Sequence, residues 1–197
     1  MALRLLNTPT SAEPAARELD AGLLRRAGDG EREACRAFVV CYERRVFTLC
    51  ARLLGDHSAA EDAAQETFFK ALRALPRFDA ALATRPSTWL LTIATHHCLD
   101  ELRKRKRRPT LVGSDVVNRA VSDHDSAASS DASAGQKRVE GALAGLSDDH
   151  RAVFVWRILA ERSVEETATA LGIDHGTVKS RLSRARDALR AQLEHRA

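Results

Sequence analysis

Residues Ser163 to Leu193, SVEETATALGIDHGTVKSRLSRARDALRAQL, combine short hydroxyls and long cations at helical spacing. Val164, Ala168 and Leu171 recur at spacings of four and three, which predicts a short helix with one apolar face ended by Gly172. Ile173 anchors the turn that follows, Asp174 and Gly176 suit turn conformations, and Thr177 is placed to cap a second helix. In that helix Val178, Leu182, Ala185, Leu189 and Leu193 cluster on one side, leaving Ser180, Ser183, Arg184 and Asp187 opposite, flanked by Lys179, Arg186 and Arg190. From His175 to Ala197 there are six Lys or Arg against two acids, a surplus of four that equals the net charge of the whole chain. Guanidinium groups bind guanine edges in two-point fashion and hydroxyls serve several partners, so the outer face suits base edges and phosphates in a major groove. A solvated amphipathic helix is the plain alternative for this segment taken alone.

The second chemical feature is the run RKRKRR, Arg103 to Arg108, whose cations repel one another and need water or an anion around them. The third is Glu61, Asp62, Gln65 and Glu66 at a helix start, where acids also complement the helix dipole. His96, His97 and Cys98 resemble metal ligands as letters, yet consecutive helical residues point about 100° apart and cannot all reach one ion. Cys35, Cys41, Cys50 and Cys98 show no C-x-x-C spacing and are expected as buried free thiols. Neither paired carboxylates, nor a nucleophile with its base, nor a glycine-rich phosphate loop stands out, so no enzyme and no cofactor is expected.

The elements that must position these groups are helices. Aromatics make up only 5% of the 197 residues, and Val and Ile never alternate with polar residues over a strand length, which predicts an all-α protein. Residues 1–19 lack periodicity and read as a flexible leader. Leu23, Leu24 and Ala27 form a short helical patch broken by Gly28, Asp29 and Gly30. Phe38, Tyr42, Val46, Leu49 and Leu53 make a buried stripe that ends at Gly55, and Ala64, Phe68, Ala71, Leu72 and Leu75 mark a third helix stopped by Pro76. After a loop from Phe78 to Pro86, Ser87 or Thr88 is placed to cap a helix beginning at Trp89. From Pro109 to about Gln136 the chain turns rich in Ser, Ala and Asp, with Asp115, Asp123, Asp125 and Asp131 against Arg119. The organisation expected is a helical domain over 20–108, a flexible acidic linker over 109–137 and a helix-turn-helix domain over 138–197. No run of about 18 apolar residues and no signal-peptide pattern is present, which predicts a cytoplasmic protein without direct membrane insertion.

The segments AEDAAQETFFKAL (Ala60 to Leu72), STWLLTIATHHCLDELRKRKRR (Ser87 to Arg108) and LSDDHRAVFVWRILAERSVEETATALGIDHGTVKSRLSRARDAL (Leu146 to Leu189) stand in this order around a polar linker. Together they resemble a bacterial RNA polymerase sigma factor of the extracytoplasmic-function group, over about residues 20–108 and 138–194. The resemblance implies a promoter-specificity subunit with core RNA polymerase and promoter DNA as partners, an anti-sigma factor as a regulator, and no small-molecule substrate. It implies that Asp62, Gln65 and Glu66 dock on the largest polymerase subunit. It gives Phe78, His96, Asp100 and Arg103 a role at the minus-ten element, with Trp89 either beside them or in the core. The family often has Asn where this chain has His96, and imidazole offers fewer hydrogen-bonding groups than an amide. Lys104, Arg105, Lys106 and Arg107 become phosphate contacts, as do Arg181 and Arg186, unless those two brace the fold. Lys179, Ser180, Ser183 and Arg184 match the positions that read the minus-thirty-five element, although Ser183 is often larger in relatives. The acidic linker either threads through the polymerase or serves as a tether. A free-standing helix-turn-helix regulator that binds duplex DNA without polymerase leaves the first domain unexplained. A protein-interaction module leaves the basic residues of both domains unexplained.

Overall fold

The computed structural model describes residues 18–78, 85–107 and 141–194, among which every regular element is helical. The expected linker lies outside these residues, as does the leader up to residue 17. Helix α1 (Ala21–Gly28) starts at Asp20, whose carboxylate accepts from the Leu23 amide at 2.9 Å. Helix α2 (Arg32–Leu54) buries Phe38, Tyr42, Val46, Leu49 and Leu53 on one face and ends at Gly55, whose φ of 67° is the left-handed conformation that closes a helix. Helix α3 (His57–Ala74) is capped by Asp56 and runs into a single 3₁₀ turn at Leu75–Arg77.

Helix α4 spans Pro86–Arg107. It begins three residues earlier than the expected start at Trp89, because Pro86 takes the first helical position, where a missing N–H costs nothing. Ser87 and Thr88 therefore lie inside the first turn, and both are buried. Cys50 and Cys98 are buried within the core of these four helices, and their mutual hydrogen bond, reinforced by burial, pushes the Cys50 thiol up. Cys35 and Cys41 are only half-buried, so the expected set of buried thiols is reduced to two.

The C-terminal helices are α5 (Asp148–Phe154), continued by a π-helical turn at Val155–Leu159, then α6 (Val164–Leu171) and α7 (His175–Glu194). Two clusters of buried side chains result. One contains the apolar faces of α1 to α4. The other gathers Leu143, Leu146, Val153, Phe154, Ala168, Val178, Leu182, Ala185 and Leu189. The five consecutive apolar residues Ala152 to Trp156 serve both clusters. Val153 and Phe154 point into the second, while Ala152, Val155 and Trp156, at spacings of three and one, point into the first. A helix apolar all round must be covered all round.

Polar groups secure that short helix. Trp156 Nε1 donates to Thr95 Oγ1 at 2.8 Å, and both residues are fully buried. Arg151, also buried, donates to four carbonyls: Leu143 at 2.9 Å, Ala144 at 3.0 Å, Leu146 at 3.1 Å and Leu53 at 2.7 Å. The Leu53 carbonyl belongs to the last turn of α2, where a cation is favoured by the helix dipole. Burial lowers the Arg151 pKa from its ordinary value, while a guanidinium keeps its proton in proteins, so a charge sits inside the fold. Replacing Arg151 with Met should lower stability by about 3 kcal/mol, since four buried carbonyls lose a charged donor, and should lower Tm by roughly 10 °C in thermal unfolding followed by circular dichroism.

Candidate nucleic-acid interface

The exposed row on α7 is built by the buried row behind it. Val178, Leu182, Ala185 and Leu189 are buried, which turns Lys179, Ser180, Ser183, Arg184, Arg186 and Arg190 to the outside. The helix is capped by Asp174, not by Thr177 as expected. The Asp174 carboxylate accepts from the Thr177 amide at 2.8 Å and from its hydroxyl at 2.5 Å. A Cβ on Gly176 would stand 3.0 Å from that carboxylate, so this glycine serves the cap from inside the helix rather than the turn. Gly172, with φ of 64°, makes the left-handed end of α6. Arg181 is only partly exposed and pairs with Asp149 of α5 at 3.0 Å, so it braces the helix-turn-helix in this structure.

Helix α6 opens with a reciprocal cap. Ser163 Oγ accepts from the Glu166 amide at 3.0 Å while the Glu166 carboxylate accepts from the Ser163 amide at 2.8 Å. The S-x-x-E spacing is the local signal for such a cap. Glu166 also accepts from the Thr88 hydroxyl of α4 at 3.1 Å and lies 3.6 Å from Arg162.

On α4 the outer residues His96, Asp100 and Arg103 are exposed, and Asp100 pairs with Arg103 at 3.0 Å. His96 Nε2 donates to the Ala170 carbonyl of α6 at 2.8 Å, a bond that places the ring proton on Nε2. Lys104, Arg105, Lys106 and Arg107 are exposed in the last turns, where Lys104 meets Glu101 at 2.7 Å and Lys106 meets Asp148 of α5 at 2.6 Å. Phe78 and Trp89 are half-buried with ring centroids 4.7 Å apart, so Trp89 is a stacking partner that also packs on the core.

Asp62, Gln65 and Glu66 share one exposed side of α3, because Ala60, Ala63, Ala64, Thr67 and Ala71 take the buried side. The same exposed side continues to Phe69, which is 62% exposed and went unmarked in the sequence reading. The doubled aromatic Phe68–Phe69 was its signal, since adjacent helical residues cannot both face one core. Among the described residues no group of His, Cys, Asp and Glu could hold a metal ion, and no helix is long and apolar enough to cross a membrane.

Burial alone would raise the Glu166 carboxyl, but hydrogen bonds from the Ser163 amide and the Thr88 hydroxyl, with the Arg162 charge, hold it below its ordinary value. A carboxylate held low in the folded state stabilises fully above its unfolded value of 4.5, and that contribution is lost as pH falls through the folded value. In acid unfolding followed by circular dichroism, Glu166→Gln should be less stable than the native protein at neutral pH. The gap should narrow as pH falls below the carboxylate range.

Comparison with known proteins adds a sequence-wide likeness to these surfaces. Residues 38–108 match the family described as Sigma-70 region 2, and residues 136–189 match Sigma-70, region 4. The chain is 34% identical over 175 residues to the ECF RNA polymerase sigma factor SigW of Bacillus subtilis (strain 168), covering 83% of this chain and 91% of that protein. It is 34% identical over 169 residues to the ECF RNA polymerase sigma factor SigC of Mycobacterium tuberculosis (strain CDC 1551 / Oshkosh), with 85% and 88% covered. Among solved structures, CnrH in complex with the cytosolic domain of CnrY superposes with a TM-score of 0.65 at 23% identity, over 89% of this chain and 97% of that one. The sigma factor RpoE in complex with the anti-sigma factor NepR from Bartonella quintana gives a TM-score of 0.61 at 24% identity, over 81% and 96%. At those identities the two structures speak for the fold.

Proposed function

Because the chain belongs to the sigma-70 family of RNA polymerase sigma factors, in its extracytoplasmic-function group, we propose that α7 reads the minus-thirty-five element, α4 the minus-ten element, and the outer side of α3 docks on core polymerase. The protein is a transcription initiation factor that binds core RNA polymerase and promoter DNA. The observation that carries the assignment of roles is the outward row Lys179, Ser180, Ser183 and Arg184 on a helix whose opposite side is buried.

In this reading Arg184 makes a two-point contact with a base edge, and Lys179, Ser180 and Ser183 complete the contact surface. Arg186 approaches phosphate, whereas Arg181 keeps the helix in place through Asp149. On α4, His96, Asp100 and Arg103 face the minus-ten strand, with Phe78 stacked on Trp89 at the rim of the site for an unpaired base. Lys104, Arg105, Lys106 and Arg107 add phosphate affinity that weakens with salt and carries little sequence information. The division of labour assigns residues 20–108 to the first unit and 138–197 to the second, with 109–137 as the connection. The protein contributes no catalytic step of its own and works in the cytoplasm, where the polymerase is. A separate anti-sigma partner covers the α3 surface until a signal arrives, a regulation supported by the exposed Phe69 and by the complexes in which the two related structures were solved.

The assignment is tested by transcription in vitro with core polymerase, with and without the protein, on a pool of promoter fragments read out by start site. Starts that depend on the protein and share two spaced motifs are expected; specific duplex binding by the protein alone, with no starts, would overturn it. Arg184→Ala should cost about 1–3 kcal/mol at the upstream element and relax the base preference there, whereas an equal loss on unrelated promoters would reassign the residue to phosphate. Charge reversal at Asp62 and Glu66, or Phe69→Ala, should weaken binding to core polymerase by about tenfold while leaving the helical circular dichroism intact.

A further inference from the structure

The first turn of α4 grips a carboxylate as a helix start grips an anion. Glu18 accepts from the Ser87 amide at 3.2 Å, from the Ser87 hydroxyl, and from the Tyr42 hydroxyl of α2 at 2.8 Å. The Ser87 amide is one of the N–H groups that a helix start leaves without an internal partner, and with the helix dipole such groups favour negative charge. Ser87 and Tyr42 are both buried, and burial holds the Tyr42 hydroxyl above its ordinary range, so it remains a donor.

Cations surround the same carboxylate in excess. Arg162 Nη2 donates to Ser87 Oγ at 2.9 Å, and the Arg45 guanidinium carbon lies 5.7 Å from the centre of the Tyr42 ring. Burial lowers the Arg162 pKa, the charges of Glu166 and Glu18 oppose that shift, and those of Arg85 and Arg45 add to it. Three guanidiniums therefore stand against two carboxylates, and Glu166 is already engaged by the Ser163 amide and the Thr88 hydroxyl. Glu18 alone offsets less positive charge than its surroundings present. Donors are in excess as well. Arg162, only 8% exposed, has its Nε buried with no acceptor among the described residues, and so has Arg45 at Nη1. Buried donors are rarely left unpaired, and a carboxylate has only two oxygens to offer.

We propose that this cradle is a binding site for a phosphate-bearing ligand, either free phosphate or a phosphate monoester, whose phosphoryl group takes the place of the Glu18 carboxylate against Ser87, Tyr42, Arg45 and Arg162. A phosphoryl group carries roughly −1.5 to −2 charges at pH 7 and three terminal oxygens, which answers both the excess of cations and the excess of donors. Arginine forks suit such an oxyanion because their N–H groups reach two oxygens at once. Glu18 can leave without dismantling the fold. It is half-buried, it precedes α1, and α1 keeps its own cap through Asp20. None of the cradle residues belongs to the outward rows of α4 and α7, so the site is separate from the promoter-reading surfaces.

The test titrates the full chain with inorganic phosphate, with adenosine monophosphate and with adenosine, at constant ionic strength, by isothermal titration calorimetry. Saturable one-to-one binding of phosphate and of the monophosphate is expected. Equal affinities would identify free phosphate as the ligand, and a tighter monophosphate would identify an organic ester. Glu18→Ala, which removes the internal competitor, should tighten phosphate about tenfold, and Arg45→Gln, which removes a charged donor, should weaken it about tenfold. Both residues are partly exposed, so both variants should keep the helical circular dichroism of the native chain. Exposed cations of α4 and α7 also attract phosphate, but neither substitution alters them. An affinity unchanged in either folded variant would assign the phosphate to those exposed cations and overturn the proposal. Adenosine bound as tightly as its monophosphate, or no saturable phosphate binding to the native chain, would overturn it too.

Discussion

The structure depends on one short helix that belongs to two cores. Ala152 to Trp156 are buried on every side, so neither cluster of apolar residues is complete without them. A side chain as large as Trp156, fully buried against α4, removes substantial apolar surface from water, and its indole N–H finds the Thr95 hydroxyl, which in turn donates to the Leu91 carbonyl at 2.8 Å. Arg151 completes the arrangement by bringing a charge inside on condition that four carbonyls receive it. With apolar and polar requirements met together, the position of α6 and α7 relative to α4 follows.

That placement explains how two surfaces with separate purposes coexist in a small chain. The row on α7 stays outside because its buried side is satisfied within the second cluster. The row on α4 is partly occupied by the neighbouring domain because its first turns are buried and its outer histidine meets a carbonyl. The exposed side of α3 is independent of both, carrying acids and one large aromatic that no neighbour covers. Electrostatics follows the same division. Acids stand on α3 and at the starts of α5 and α6, cations at the end of α4 and along α7, and the two acids that open α5 meet Lys106 of α4 and Arg181 of α7.

Much of this was legible in the sequence where a local rule operates. The stripe from Phe38 to Leu53 and its stop at Gly55 follow from helical periodicity and from the ease with which glycine adopts positive φ. The outward row on α7 follows from the same rule. Where the reading failed, a neighbouring residue competed for the same role. Asp174 captured the cap expected of Thr177, and Pro86 moved the start of α4 so that Ser87 and Thr88 became buried partners instead of caps. Arg151 and Arg162 gave no sign of their roles, since a lone arginine in a polar context looks like any surface cation.

Sequence by itself determined the helices, their exposed and buried sides, and the family, because periodicity, turn residues and motif order are properties of the chain read along its length. Only the tertiary structure decided that Trp156 completes the first core, that Ser87 meets both Arg162 and Glu18, and that His96 is engaged by Ala170. Those contacts join residues 61 to 75 positions apart, or 69 for Ser87 and Glu18. No local periodicity relates residues at such separations; they meet because burying two apolar faces of one short helix leaves the domains few ways to lie against each other.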